Sequence, residues 1–243
     1  MRSCLVLLSV FFLSACQKLQ GDVYFPLQFG QSWRYKIVTR FEDPDVPTRS
    51  ESLTLNALGS DNETGHMAWH RRSDSGISYW LNADETGVYR IATQSPLDVQ
   101  PQLDKNPRYV LKQPYVVGTQ WQNDTTPYIF FRRNEFPPEL RNLEKYKSLE
   151  MNYRIEAIEQ SVQVAGDTFE HCLLVQGIAN VKMYIDALVA WRDVPMISRE
   201  WYCPNVGLVR LEREESSPSK FVVGGKLTME LVRHRQFDIL SAF

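Results

Sequence analysis

The chain has 243 residues, with 27 basic and 29 acidic side chains for a net charge near −2. Nothing in that balance supplies the basic field that a phosphate backbone needs, so nucleic acid is excluded as a partner. The length suits one large β domain or two small ones, and beyond the N-terminus no apolar stretch is long enough for a spanning helix.

The first fifteen residues read as a leader. Arg2 is a short positive start, and Leu5 to Leu13 is an apolar run broken only by Ser9. That run falls well short of the ~20 apolar residues a spanning helix requires. Leu13-Ser14-Ala15-Cys16 resembles the lipobox of bacterial lipoproteins. The resemblance implies that the Cys16 thiol, a good nucleophile as thiolate, receives a diacylglyceryl group and that cleavage falls just before it. At ~0.8 kcal/mol per buried CH₂, two or three acyl chains would anchor the body durably. By the enteric sorting rule an aspartate after the cysteine signals inner-membrane retention. Gln17 stands there, which implies an outer-membrane anchor facing the periplasm. An ordinary secretory leader with an incidental cysteine is the competing reading. Gln17 to Val23 would form a short tether of at most ~3.3–3.6 Å per residue, and 24–243 would be one β domain.

Period-two patterns dominate the rest. Trp33, Tyr35, Ile37 and Thr39 alternate with Arg34, Lys36 and Arg40, as in a half-buried strand. Strands are expected at Ser52–Leu58, His66–Arg72, Gly76–Ala83 and Gly87–Thr93, the last two as a hairpin. Pro96 to Pro107 reads as a connection. Ser148–Val164 is one long strand or two short ones, and Ala165-Gly166-Asp167 turns it into Thr168–Ile178. Trp201–Glu214 reads as strand, turn, strand, and Lys226–Phe237 closes the chain with an alternation that breaks at Val232. One short helix is expected near 137–149, where Pro137 and Pro138 suit a first turn and Leu140, Leu143 and Tyr146 fall three apart.

Two stretches share a device: PLQFGQSW (Pro26, Gly30, Trp33) and PYVVGTQW (Pro114, Gly118, Trp121). Proline holds φ at about −65° and offers no ladder donor. Glycine allows a positive φ, and three residues later an indole that can bury on the order of 200 Å² begins the next run. Each copy reads as a corner that opens a strand. The repetition suggests two related halves, 24–110 and 111–243, with Gly166 and Phe169 as a fainter echo.

Cys4 leaves with the leader and Cys16 is the lipid site, so Cys172 and Cys203 remain as a natural pair in an oxidising periplasm. Two buried free thiols are the alternative. His66 and His70 are four apart, but in a strand that is ~13 Å, too far for one metal. His171 beside Cys172 suggests an activated thiol less well than a bonded or buried one. Glu212, Glu214 and Glu215 read as a solvated charged face. There is no Gly-x-Ser-x-Gly, His-Glu-x-x-His, glycine-rich phosphate loop or Cys-x-x-Cys, so no catalytic or metal residue and no cofactor is expected.

YFPLQFGQSWRYKI, LKQPYVVGTQW, VQVAGDTFEHCLLV and WYCPNVGLVRLE, in that order, resemble blocks of a family of uncharacterised bacterial lipoproteins and periplasmic β proteins. The departures are an extra residue in Gly166-Asp167-Thr168-Phe169, and Cys203 where the family often has a small residue; the second supports the Cys172–Cys203 pair. The resemblance implies an antiparallel meander forming an open or half-closed barrel, and it imports no activity. Two non-catalytic roles follow. One is a tethered module binding an apolar ligand or peptide on a concave face lined by tryptophans and tyrosines. The other is an accessory lipoprotein that docks an envelope protein through a sheet edge or through Pro137–Leu149.

Overall fold

The computed structural model describes residues 24–133, 149–185 and 190–236. Cys16, the leader and the tether lie outside the described residues. So does the helix expected over 137–149, except Leu149, which opens a strand.

Every regular element among the described residues is a strand. The first six are β1 (Gln31–Phe41), β2 (Arg49–Asp61), β3 (Ala68–Ser73), β4 (Ser78–Asp84), β5 (Gly87–Gln94) and β6 (Gln102–Lys112). Then come β7 (Gln120–Thr125), the two-residue β8 (Phe131–Arg132), β9 (Leu149–Val164), β10 (Asp167–Ile185) and β11 (Ala190–Cys203). The last are β12 (Gly207–Glu215), the two-residue β13 (Val222–Val223) and β14 (Gly225–Gln236). One 12-stranded sheet runs β6-β5-β4-β3-β2-β1-β14-β12-β11-β10-β9-β7, with β8 and β13 paired separately. It is thus two meanders, β1 to β6 and β7 to β14, each antiparallel throughout, with β14 laid antiparallel on β1. The free edges, β6 and β7, then come face to face, giving a nearly closed barrel with one unsealed seam. Side chains cross that seam where no ladder does. Asn123 Nδ2–H donates to Tyr109 O at 2.7 Å, and the Arg108 guanidinium donates to Asp124 O.

The two corners occupy matching positions in the two meanders. Gly30 has φ +83° and Gly118 φ +96°. The Gly30 N–H donates to Ala57 O at 3.1 Å, two residues beyond Leu55, the register partner of Trp33. Likewise the Gly118 N–H donates to Ile155 O at 2.9 Å, two beyond Tyr153, the partner of Trp121. Each corner therefore clips the incoming chain to the neighbouring strand and drives its indole into the core, leaving Trp33 1% and Trp121 5% exposed. The Trp33 indole N–H also donates to Val206 O at 2.7 Å, whereas that of Trp121 has no acceptor among the described residues. Gly166 instead sits in the tight β9–β10 hairpin, beside Ala165 at φ +52°, so the fainter echo is a turn and not a corner.

Irregular points in the pattern mark bulges. Arg34 pairs with Arg233 and Tyr35 with Leu231, so Val232 is the extra residue, which explains the broken alternation there. The expected connection from Pro96 to Pro107 is corrected in part, because β6 already runs from Gln102. Between Arg90–Arg108 and Ala92–Leu103 its ladder is interrupted, and Pro107 falls in that interruption on an edge strand, where a missing N–H is tolerated. Pro195 likewise lies one residue past the end of the β11–β12 ladder at Met196–Glu215.

Two main clusters fill the interior. One gathers Phe25, Leu81, Val88, Leu111, Trp121, Ile155, Val175 and Tyr202. The other packs Trp33, Tyr35, Val162, Val209 and Leu231 around Cys172 and Cys203, which form a disulfide across a 31-residue separation. The acidic run needs correction. Glu215 is 0% exposed, pairs with the buried Arg213 (Nε–Oε1 3.1 Å) and accepts the backbone N–H groups of Tyr128, Ile129 and Phe130 at 2.9 to 3.3 Å. Far from being solvated, it fastens the 128–130 segment onto the end of β12. Glu212 is bound as well, to Lys226 at 2.9 Å.

Candidate ligand cavity

Strand parity decides which side chains of β3 enter the barrel. Ala68 and His70 pack on the outer side against Trp80 and Ala92. Trp69 and Arg71 therefore point inward, and Trp69 joins the interior cluster. The same parity on β4 sends Tyr79 and Leu81 in, and on β11 sends Glu200 and Tyr202 in. Arg71, Tyr79, Leu81, Glu200 and Tyr202, but not Trp69, border a cavity of about 280 Å³, whose wall also includes Phe25, Tyr109 and Tyr153. Its size lies just below the usual range of ligand pockets (~300–1,000 Å³).

The wall is mainly aromatic and aliphatic, with four tyrosines, while the inward Trp33, Trp69 and Trp121 pack elsewhere in the interior clusters. Three of the tyrosine hydroxyls are held neutral. Burial raises the pKa of Tyr79, Tyr153 and Tyr202, and the Glu200 carboxylate raises the last two further.

Arg71 is the exceptional polar group. It is 7% exposed, its guanidinium carbon lying 4.0 Å from the Phe25 ring centroid and 4.2 Å from that of Trp33. One terminal nitrogen donates to Pro26 O, while Nε has no partner among the described residues. No carboxylate of the described residues pairs with it. Burial lowers its pKa to about 10, partly offset by Tyr35 and Tyr202, so the charge persists at neutral pH. The other arginines are occupied: Arg90 makes a two-pronged pair with Asp104 at 2.6 and 2.7 Å, and Arg108 binds Asp124 O.

Glu200 accepts the Tyr202 hydroxyl at 2.6 Å and that of Ser198 at 3.0 Å. Burial raises its pKa above the ordinary carboxylate value, against the pull of those bonds and of Arg213 and Arg108. Outside the seam a groove of about 540 Å³ runs between Leu103–Arg108 and Gln122–Asp124. Arg108 and Asn123 border both spaces, so cavity and groove adjoin at the seam.

The sequence candidates fall elsewhere. The corner residues build the frame, and Cys172 is bonded, so His171 activates no thiol; the exposed imidazole meets Glu159, which raises its pKa. His66 sits exposed in the turn before β3. His70 instead meets Asp61 (Nδ1–Oδ2 2.8 Å), whose other oxygen accepts the Trp80 indole N–H at 2.8 Å, with Glu63 close by. Both oxygens of Asp61 are thus engaged by protein. Arg71 and Glu200 were not among the sequence candidates, although parity with Trp69 and Tyr202 was a usable signal for both.

No protein-family model matches the sequence, and no curated protein matches it. Two solved structures are similar, each at 14% identity over 88% of this chain. One is described as an exported protein with a YmcC-like fold from Bacteroides fragilis, covered over 99% of its length with a TM-score of 0.38. The other is described as a lipoprotein from Parabacteroides distasonis, covered over 98% with a TM-score of 0.40.

Proposed function

We propose that this chain is a non-catalytic lipoprotein of the bacterial cell envelope, anchored through Cys16 in the outer membrane and facing the periplasm, that takes a small ligand into its barrel. The observation that carries the binding reading is the aromatic-walled cavity behind an unsealed seam. The anchor rests on the lipobox-like Leu13–Cys16. Native mass spectrometry of protein extracted from membranes in mild detergent tests the whole reading. The expected species begins at an acylated Cys16 and carries a small molecule that dissociates on activation. An unacylated chain would refute the anchor, and an empty one that stays empty when offered envelope extract would refute the binding role.

A second reading has its own observation. Leu97 is 94% exposed, Val99 99% and Leu103 62%, on the segment feeding the free edge β6. An accessory lipoprotein docking a protein partner there would lose that partner in an in-cell crosslinking assay when Leu97 and Val99 become aspartate, and would keep it when Arg71 is changed.

A further inference from the structure

We infer that the cavity ligand is a small organic carboxylate with an aromatic or apolar body, and that Arg71 is its anion anchor. The inference rests on the cavity being a ligand site and adds the chemistry of the ligand. A buried cation without a counter-charge is costly, so proteins pair it or give it a bound anion. Arg90 has Asp104 and Arg213 has Glu215, but Arg71 has two aromatic rings and one carbonyl.

The geometry restricts how an anion can meet it. Phe25 and Trp33 cover the guanidinium, which suits cation–π attraction and leaves the edge as the route for hydrogen bonding. An edge-on guanidinium is the fork that carboxylates accept. Nε, the edge nitrogen with no partner, is where a carboxylate oxygen would bond. Arg71 is the buried cation of the wall that no carboxylate of the described residues meets, and with the Glu200 carboxyl on the same wall its one charge favours a monoanion over a phosphate dianion. Beyond the charge the wall is Leu55, Leu81, Val110 and tyrosine rings, so the ligand's body is apolar.

The test is calorimetric titration of the full lipidated chain in detergent with 3-phenylpropanoate, its neutral amide and its phosphate analogue, 3-phenylpropyl phosphate. The acid is expected to bind about 30-fold more tightly than the amide, the difference a charge-assisted bond makes, and more tightly than the phosphate. In Arg71→Met the acid should fall to the affinity of the amide, and in Arg71→Lys it should fall partway, since the charge stays but the fork is lost. Equal binding of acid and amide by the wild type would overturn the anchor while leaving the cavity as a ligand site. Binding of neither would overturn both. The acid–amide comparison on the wild type decides the matter even if a variant fails to fold.

Discussion

Replacing Glu215 by alanine should be among the most damaging single changes away from the aliphatic core. The side chain is 0% exposed and Arg213 is 3% exposed at its side chain, so truncation leaves a buried guanidinium unpaired. Breaking such a pair from one side costs about 3–5 kcal/mol. Three backbone donors, at Tyr128, Ile129 and Phe130, lose their shared acceptor as well, at about 1–3 kcal/mol each when no water replaces it. Water can enter once 128–130 loosens, so these terms do not add, and a total of at least about 3 kcal/mol is expected. For a domain of this size a loss of about 3–5 kcal/mol lowers Tm by about 6–20 °C. Glu215→Gln keeps an acceptor for the amides but not the charge, and should lose about half as much. Urea unfolding followed by tryptophan fluorescence measures all three proteins. If Glu215→Ala cost less than about 1 kcal/mol with an unchanged m-value, the carboxylate would not be the clasp described here.

Two further outcomes are expected. Replacing both Cys172 and Cys203 by alanine reopens a 31-residue separation and should cost roughly 3–4 kcal/mol by chain entropy; reduction by thiol should reproduce the loss in a urea titration, and unchanged midpoints would contradict it. Glu200 has a folded-state pKa above its ordinary 4.5, so the native state holds its proton longer. Its contribution is therefore present in full below about pH 4.5 and is lost as pH rises through the folded pKa. Glu200→Gln should remove that decline, so that the wild-type and variant urea midpoints diverge as pH rises from 4. Parallel curves would contradict the assignment.

Much of the frame was legible because it depends on backbone rules. Alternation located most strands, and the proline, glycine and tryptophan of the corners each do what their covalent structure dictates. Even the flaw at Val232 was visible as a break, and pairing identified it as a bulge. What the sequence could not disclose depends on partners distant in the chain. Glu215 looked like part of a charged face because its acceptor role needs Tyr128 to Phe130, about 86 residues away. Nothing in the sequence singled out Arg71, because Trp33 on β1 and Phe25 just before β1 meet it only in the folded sheet. The outer half of the β10–β11 hairpin was also missed: Val181, Met183, Val194 and Met196 alternate there, but Lys182, Asp193 and Pro195 between them obscure the pattern.

Entry of a ligand into the barrel is tested most directly by fluorine NMR of the full chain labelled with 3-fluorotyrosine and titrated with 3-phenylpropanoate. The signals of Tyr79, Tyr109, Tyr153 and Tyr202, which wall the cavity, should shift together and saturate, while that of the half-exposed Tyr128 stays in place. Interior signals that hold still while the probe binds, or while only Tyr128 responds, would contradict a ligand inside the barrel.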